Sequence, residues 1–517
     1  MKLKFVLSGL LLLGMTGLAE LKLPALFSDG MVLQRDQQVA VWGWADPGAD
    51  VVVSFAGQQK SVKANPDGTF LVRLDTMKAS ADPRPLAVRA GTDAVEVKNV
   101  LVGEVWLCSG QSNMQMAVAA ADNFKAEQAA ANHPLIRMFT TVRNASPEPL
   151  ADCRGSWSVC TPESVGGFSA AGYFFGREIQ QALGVPVGLI HSSWGGTCIE
   201  AWSPLESLAP YPLAMKTKAG YDAGARKFSA AAEEERFAKV HAQWQEKAKT
   251  ATANGKAAPR EPQRRVNPRL NQNYPANLYN AMIHPLVPYG MRGAIWYQGE
   301  RNAKTYASAM EYRALLENLV TRWRADWNDE FPFYAVQLVN YKAPQTKPVE
   351  NSAWACIRDS FLNFHKEVPH AGIAVAIDVG MEKNIHPTNK QAVGFRLARQ
   401  ALAKTYGLDV VPGGPIYRSM KKDGDKIVVA FDDIGAGLVA QGGAPLKRFA
   451  IAGADRNFVE AKAVIAGDTV VVGSDQVADP VAVRYAWADN PVGCNLFNKD
   501  GFPASPFRTD DWAPAAE

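Results

Sequence analysis

The stretch at residues 103–115 reads Gly-Glu-Val-Trp-Leu-Cys-Ser-Gly-Gln-Ser-Asn-Met-Gln and predicts a strand, a turn and the start of a helix. Its apolar beginning is typical of a buried strand, Gly110 permits a tight turn, and Ser112 stands where a helix would begin. A hydroxyl in that place lies at the carboxyl edge of a sheet and faces free N–H groups and the helix dipole. Those features suit a nucleophile whose substrate carbonyl becomes an oxyanion. From spacing alone, however, an ordinary helix N-cap is the favoured interpretation of Ser112.

The chain around this stretch alternates between strand-like and helical patterns. Between residues 102 and 410 the apolar runs are Glu104–Leu107, Val187–Ile190, Ala294–Trp296, Phe333–Leu338 and Ala371–Ile377, with longer helical stretches between them. This alternation predicts an α/β domain with a mainly parallel sheet. Within it, residues from about 212 to 266 are rich in Ala, Lys, Glu, Arg and Gln and predict a helical insertion, packed through Phe237, Val240 and Trp244.

Both flanks of this domain read as β structure. Residues 20–101 consist of short alternating runs broken by turn formers, which predicts an N-terminal β domain, and residues 411–517 predict a C-terminal β module. Residues 1–19 combine a basic start, an apolar stretch and a small-residue cleavage site, as a secretory signal peptide does. We therefore expect an exported protein, periplasmic or secreted. No later segment approaches the ~20 apolar residues of a membrane span, so no stable membrane insertion is expected.

Composition excludes some classes of function. The net charge of +4 is small for 517 residues and gives no reason to expect a nucleic-acid partner. The aromatic residues, 13 Trp and 14 Tyr among them, include faces that can stack on sugar rings, although most of them fit core positions. Cys153 and Cys160 are close enough in sequence to pair after export, whereas the other four cysteines fit buried positions. No Cys/His spacing is typical of a zinc site.

Several blocks of the sequence together resemble one enzyme family. Residues 110–114, Gly-Gln-Ser-Asn-Met, resemble the first block of the SGNH (GDSL) hydrolases, in the form found in sialate O-acetylesterases and related acetylxylan esterases. Further blocks follow in the family's order: Gly188–Thr197 with Ile199–Trp202, Trp296–Glu300, and Ile385-His386-Pro387 with Lys390, Val393-Gly394 and Arg396-Leu397. Residues 26–34 also resemble the opening of these proteins. The resemblance thus covers most of the chain.

The resemblance implies an SGNH-type sandwich that removes acetyl groups from carbohydrates through a serine nucleophile, without a metal or organic cofactor. Ser112 would attack the ester carbonyl, and its own N–H would be one oxyanion donor. A backbone N–H of Gly195 or Gly196 would be the second donor, because glycine lets the backbone approach the oxyanion closely. Gln298 would be the side-chain donor.

The general base is expected to be a histidine near the end of the α/β domain. Ile283-His284-Pro285 repeats the local pattern of Ile385-His386-Pro387. Catalytic histidines of the family follow the last strand, which favours His386 and leaves His284 as a structural residue.

The third member of the triad departs from the family pattern. Many SGNH enzymes carry the acid three residues before the histidine, where this chain has Lys383. Asp378 and Glu382 are the candidate acids, and Asp378 is preferred because a strand terminus is a rigid mount. A Ser–His pair helped by a backbone carbonyl is the alternative.

The substrate class predicted in this way is an acetylated carbohydrate, either a sialic acid or a xylan or other hemicellulose, ranked nearly equal. Trp194, Trp202 and Tyr297 flank the blocks as candidate walls for sugar stacking, with core packing equally compatible. Two other functions are considered. One is a noncatalytic carbohydrate-binding protein, and the other is a peptidase, lipase or esterase of other specificity. The chain lacks the Gly-x-Ser-x-Gly elbow of α/β-hydrolases, which disfavours the second.

Overall fold

Short, mostly antiparallel strands form the N-terminal part of the chain, in a computed structural model that describes residues 20–349, 351–443 and 445–512. They are β1 (Val32–Gln34), β2 (Val39–Trp44), β3 (Asp50–Phe55), β4 (Gln58–Lys63), β5 (Thr69–Leu74) and β6 (Ser80–Ala90). Strand β2 pairs with β5, and β3 pairs with both β4 and β6. Alternate residues of β3 and β5 are buried, so each strand turns one face to the core.

The next strand, β7 (Asp93–Gly110), joins this region to the centre of the molecule. Its first part pairs antiparallel with β6, and Leu101 to Gly103 pair in parallel with β1. From Val100 onward every residue of β7 is buried. The predicted domain boundary at residue 101 therefore falls within one continuous strand.

The second part of β7 is the middle of a mainly parallel sheet in the order β13-β12-β11-β7-β10-β8-β9. The other members are β8 (His133–Thr140), β9 (Trp157–Cys160), β10 (Val187–Ser193), β11 (Gly293–Tyr297), β12 (Phe333–Gln337) and β13 (Ala371–Val375). Only β9 runs antiparallel to its neighbour among these strands. Strands buried on both faces need continuous apolar runs, which is the pattern that the sequence shows. The predicted α/β class with a mainly parallel sheet is confirmed.

Helices connect the strands of this sheet. They are α1 (Ser112–Gln115), α2 (Phe124–Ala130), α3 (Ala170–Leu183), α4 (Pro212–Arg226), α5 (Ala230–Ala253), α6 (Tyr306–Trp327), α7 (Ala353–Glu367) and α8 (Lys390–Lys404). Helix α3 packs against α8, and α6 packs against α7. A Cβ at Gly394 of α8 would lie 2.4 Å from Cβ of Phe174, so the close contact of α3 and α8 depends on that glycine.

The helical insertion and the C-terminal region complete the fold. Helices α4 and α5 lie within residues 212–266, and α5 has no buried residue; Phe237, Val240 and Trp244 are half-buried. The C-terminal strands are β14 (Ile416–Asp423), β15 (Lys426–Asp432), β16 (Leu438–Ala440), β17 (Phe449–Ala452), β18 (Val459–Glu460), β19 (Lys462–Ala466), β20 (Thr469–Gly473), β21 (Ala482–Tyr485), β22 (Leu496–Asn498) and β23 (Phe507–Arg508).

Further expectations from the sequence concern the signal peptide, membrane spans and the cysteines. The predicted signal peptide lies outside the described residues. Within residues 20–349, 351–443 and 445–512, every helix is too short or too polar to span a bilayer. All six cysteines are free thiols, so the pairing of Cys153 with Cys160 is not formed, although both residues are buried. Cys198 and Cys494 are half-buried rather than buried.

A buried carboxylate connects the N-terminal region to the central sheet. The side chain of Glu104 on β7 is 0% exposed and forms ion pairs with Arg35, which follows β1, and with Arg292, which precedes β11. The Arg292 Nε–Glu104 Oε2 distance is 2.8 Å. Burial raises the pKa of Glu104, but the hydrogen bonds and charges of the two guanidinium groups outweigh it, and the net pKa lies below the usual value.

Removal of this charge should destabilise the fold. We expect Glu104→Gln to lower the free energy of unfolding by about 2–3 kcal/mol, less than the ~3–5 kcal/mol of a fully buried pair because both guanidinium groups reach solvent. Since the folded-state pKa of Glu104 is depressed, its contribution is present above the unfolded-state pKa of ~4.3 and is lost as the pH falls through the folded-state value. Urea unfolding at pH 7 and at successively lower pH measures both effects. The exposed pair of Asp50 with Lys63 offers a control, because Asp50→Asn should change stability far less.

Candidate active site

Ser112 is presented at the carboxyl edge of the sheet by a turn that only glycine fits. Gly110 has φ +136°, and a Cβ there would lie 2.2 Å from the carbonyl oxygen of Tyr297. The N–H of Gln111 donates to that same oxygen at 2.9 Å, and the N–H of Trp194 donates to the carbonyl of Gly110 at 3.1 Å. The turn is thus fastened to the ends of both neighbouring strands, β11 and β10, before Ser112 begins α1.

His386 lies beside Ser112, in the loop between β13 and α8. The distance between Ser112 Oγ and His386 Nε2 is 2.8 Å, and both side chains are half-buried. Burial, and then the positive charge of Lys390, lower the pKa of His386. The imidazole is therefore neutral near pH 7 and can accept the hydroxyl proton through Nε2. Ser112 and His386 are brought together as the sequence predicts.

The structure does not bring Asp378 to His386. Both carboxylate oxygens of Asp378 accept hydrogen bonds from the guanidinium of Arg396 on α8, at 2.6 and 2.8 Å. In this bidentate ion pair both carboxylate oxygens are bound by one guanidinium, which fixes the direction of the carboxylate. Glu382 is exposed, and within the described part of the chain its carboxylate has no hydrogen-bond partner. Neither predicted acid thus contacts the imidazole. The preference for Asp378 as the triad acid is not supported, because its carboxylate is bound by Arg396.

The second histidine with the same local sequence lies elsewhere. Nδ1 of His284 is 3.0 Å from the carbonyl oxygen of Leu150, and the ring packs against Tyr279. These contacts are structural.

The two glycines after β10 differ in what their N–H groups do. Gly195 lies against the serine, since a Cβ on it would be 3.1 Å from Cβ of Ser112, but its N–H donates to the side chain of Gln115 at 2.7 Å. Gly196 is exposed with φ +72°, and its N–H has no acceptor among the described residues. The N–H of Ser112 has none there either. Of the two glycines, Gly196 is therefore the one with a free donor.

The side-chain amide nitrogen of Gln298 is fully engaged within the protein. Gln298 is buried, and its Nε2 lies 2.9 Å from Thr197 O, 2.9 Å from Asn302 Oδ1 and 3.1 Å from Gln111 Oε1. An amide nitrogen has two hydrogens, so none is left for an oxyanion. Gln111 is the amide nearest the nucleophile, with Nε2 3.5 Å from Ser112 Oγ. The sequence analysis gave Gln111 no role.

Beneath Ser112 and His386 lies a buried polar cluster of Asn113, Glu300 and Lys390. Nδ2 of Asn113 donates to Glu300 Oε1 at 2.5 Å and to the carbonyl of Ile385 at 3.0 Å, and its Oδ1 accepts from Lys390 Nζ at 2.6 Å. Burial lowers the pKa of Lys390 to about 7 and raises that of Glu300. Asn113 follows the nucleophile and Ile385 precedes His386, so this one amide sets the distance between the two.

This cluster was not predicted, although all three residues stand in the blocks quoted for the family resemblance. The available signal was that Glu300 and Lys390 are charged residues within those blocks.

The predicted sugar-stacking walls are mostly core residues. Trp202 and Tyr297 are 0% exposed, so neither can contact a substrate, and the stacking role is wrong for both. Trp194 is half-buried, with the guanidinium of Arg143 5.8 Å from its ring centroid. Within the described residues, no group of His, Cys, Asp or Glu side chains has the arrangement of a metal site.

Loss of the central amide should remove the hydrogen bonds that Asn113 makes to two buried ionisable groups, Glu300 and Lys390. We expect Asn113→Ala to lower the free energy of unfolding by roughly 3 kcal/mol, because hydrogen bonds to buried charged groups are lost without replacement. Asn280 is the matched control, since it is also buried but donates to the uncharged carbonyl of Ser146. Asn280→Ala should cost about 1 kcal/mol. Equal losses in denaturant unfolding would contradict the special role of Asn113.

Comparison with known proteins agrees with this geometry. Residues 102–243 and 266–403 match the family described as carbohydrate esterase, sialic acid-specific acetylesterase. The sialate O-acetylesterase of Mus musculus is 32% identical over 415 residues, which cover 73% of this chain and 72% of that protein. The corresponding protein of Homo sapiens is 31% identical over 416 residues, covering 74% of this chain and 70% of that protein.

A solved structure extends the similarity to nearly the whole chain. The crystal structure of a carbohydrate acetylesterase from Xanthomonas citri matches with a TM-score of 0.80 at 39% identity, covering 95% of this chain and 100% of that one. The matched blocks include the turn of Ser112 and the loop of His386. The chain belongs to the sialic acid-specific acetylesterase family of carbohydrate esterases.

Proposed function

We propose that the protein hydrolyses acetyl esters of carbohydrates through an acetyl-enzyme formed on Ser112. The observation that carries the proposal is the 2.8 Å contact between Ser112 Oγ and His386 Nε2. A nucleophile and a base within hydrogen-bond reach at an accessible sheet edge are what covalent acyl transfer requires. Family membership supports the same chemistry on sugars.

The reaction proceeds in two steps. Ser112 Oγ attacks the acetyl carbonyl while His386 Nε2 takes its proton, and the resulting imidazolium then protonates the departing sugar oxygen. The bond between the acetyl carbon and the sugar oxygen breaks, which leaves the acetyl group on Ser112. A water molecule, deprotonated by His386, then attacks the acetyl carbon, and acetate and free serine are formed.

The oxyanion of each tetrahedral intermediate is assigned to the N–H groups of Ser112 and Gly196. Both lack an acceptor within the described chain, whereas the N–H of Gly195 and the amide of Gln298 are already engaged. Gln298 instead orients Gln111, whose amide is the side-chain donor nearest the reacting oxygen. Donors held in place before the reaction need no reorganisation when charge develops.

The base is proposed to act without a carboxylate partner. Asp378 is held by Arg396, and the imidazole receives its orientation from the loop, in which the N–H of His386 donates to Asn384 Oδ1 at 3.0 Å. The Ser–His pair considered from the sequence is therefore preferred to a triad.

Export through residues 1–19 is proposed as well, on the strength of their signal-like pattern. An enzyme acting on polymeric or cell-surface carbohydrates would meet its substrate outside the cytoplasm.

Loss of the nucleophile tests the mechanism. Ser112→Ala should reduce acetate release from 4-nitrophenyl acetate and from an acetylated oligosaccharide by about 10³-fold or more, because the covalent step is removed. Ser109→Ala, in strand β7 one residue before Gly110, removes a buried hydroxyl that has no partner among the described residues and should keep near-full activity. Equal rates for wild type and Ser112→Ala would exclude the esterase mechanism and favour a noncatalytic carbohydrate-binding protein.

Two further variants test whether a carboxylate assists the base. Asp378→Asn and Glu382→Gln should each retain kcat/KM within roughly tenfold of wild type, whereas loss of a true triad acid costs about 10⁴-fold. Steady-state rates near pH 7 distinguish the cases. A fall of that size in only one variant would identify that carboxylate as the acid.

A further inference from the structure

A cavity lies near the catalytic edge of the sheet, and none of the residues assigned to catalysis lines it. It has a volume of about 700 Å³ and lies between helix α4 of the insertion and the beginning of helix α6. Its volume is within the range of ~300–1,000 Å³ that small-molecule sites occupy. Its walls carry oxygen and nitrogen groups from Glu200, Thr217, Tyr221, Asn271, Thr305 and Ser308.

A chain of hydrogen bonds joins this cavity to the nucleophile. Glu200 Oε2 accepts from Asn302 Nδ2 at 3.1 Å, and Asn302 Oδ1 in turn accepts from the Gln298 amide at 2.9 Å. That amide also donates to Gln111, the neighbour of Ser112. The wall of the cavity and the turn of the nucleophile are therefore parts of one buried polar network.

A second connection runs through the segment that follows Asn271. Gln272 Nε2 donates to the carbonyl of Gly195 at 3.2 Å, and Asn273 Nδ2 donates to that of Gly196 at 3.1 Å. Asn271 thus faces the cavity while the next two residues hold the turn that supplies the free oxyanion donor. A ligand in the cavity would lie beside the acetyl-transfer site and outside it.

The lining favours a neutral polyhydroxyl ligand. Hydroxyl, amide and carboxyl groups can each donate to or accept from sugar hydroxyls, and Tyr221 adds an aromatic side chain. Lys216 and Glu200 are its charged residues, and within the described part of the chain no arginine lines the cavity. A carboxylate-bearing sugar is most commonly recognised by the bidentate fork of arginine, which this site does not offer.

We propose that this cavity binds the neutral oligosaccharide that carries the acetyl group, beyond the acetylated unit held at Ser112. The inference rests on the proposed function and narrows its substrate class to an acetylated neutral oligosaccharide. The helical insertion then serves to bind the polymer, while the sheet edge performs the chemistry.

Gly220 of α4 allows the cavity to be filled without damage to the fold. It lines the cavity, and a Cβ added there meets no atom within 4 Å. Tryptophan is also a better helix former than glycine by a few tenths of a kcal/mol, so Gly220→Trp adds an indole at the cavity wall without a clash at its Cβ. Ala219→Trp is the matched control, because Ala219 is the exposed neighbour on the same helix and does not line the cavity.

Binding and turnover are measured separately. In titration calorimetry with unacetylated xylotetraose, Gly220→Trp should weaken the Kd at least about tenfold, and Ala219→Trp should leave it unchanged. In rate assays, Gly220→Trp should lower kcat/KM at least about tenfold on acetylated xylotetraose and leave 4-nitrophenyl acetate hydrolysis unchanged, since the small ester does not reach the cavity.

Several results would overturn the proposal. One is an unchanged Kd for xylotetraose in Gly220→Trp, and another is an equal loss of 4-nitrophenyl acetate activity. A loss confined to O-acetylated sialic acid would also overturn it, because the cavity would then serve a charged sugar. If wild type hydrolysed no ester, the proposed function would fail while the calorimetry still decided the binding site. Should Gly220→Trp not fold by thermal melting, Thr217→Trp fills the same cavity and replaces it.

Discussion

The active site depends on where the central strand β7 ends. At Gly110 the backbone passes so close to the carbonyl of Tyr297 that no side chain fits, and the chain turns at once into α1. Gly110 is paired with Ser193 of β10 on one side and with Tyr297 of β11 on the other. Because the three strands are parallel and in register, the loops that follow them open at the same edge. This shared edge therefore brings together the nucleophile, the glycine turn and the supporting amides.

The general base, His386, is placed at this edge by side-chain hydrogen bonds rather than by a strand. His386 stands in a loop, 11 positions after the last residue of β13, and strand register alone does not place it. A buried amide, Asn113, binds the carbonyl that precedes His386 while it also binds Glu300 and Lys390. Buried charged groups are costly unless they are satisfied, so only a narrow range of loop positions is compatible with the folded state. The hydrogen bonds of Asn113 thus hold the loop in the position that keeps Ser112 and His386 at hydrogen-bond distance.

The ion pair of Asp378 and Arg396 has a related structural effect. Arg396 also donates to the carbonyl of Val375 at the end of β13, so the guanidinium ties the beginning of the loop to helix α8. The carboxylate that resembles a triad acid in sequence thus supports the base from a distance. In the proposed mode of binding, the sheet edge performs the chemistry. The helical insertion contacts the part of the sugar that lies in the cavity.

Local sequence patterns predicted the parallel α/β class and the turn that carries Ser112, whereas the choice of His386 over His284 came from the resemblance to the SGNH hydrolases. The local patterns are apolar runs of strand length and a glycine before a helix start. The local patterns could not predict that Asp378 pairs with Arg396 or that the N–H of Gly195 and the amide nitrogen of Gln298 are occupied. They also could not predict that Trp202 and Tyr297 are core residues. A carboxylate or an amide forms hydrogen bonds with whichever partner the fold places nearest. That partner is set by packing between elements far apart in the chain, which a local sequence pattern does not report.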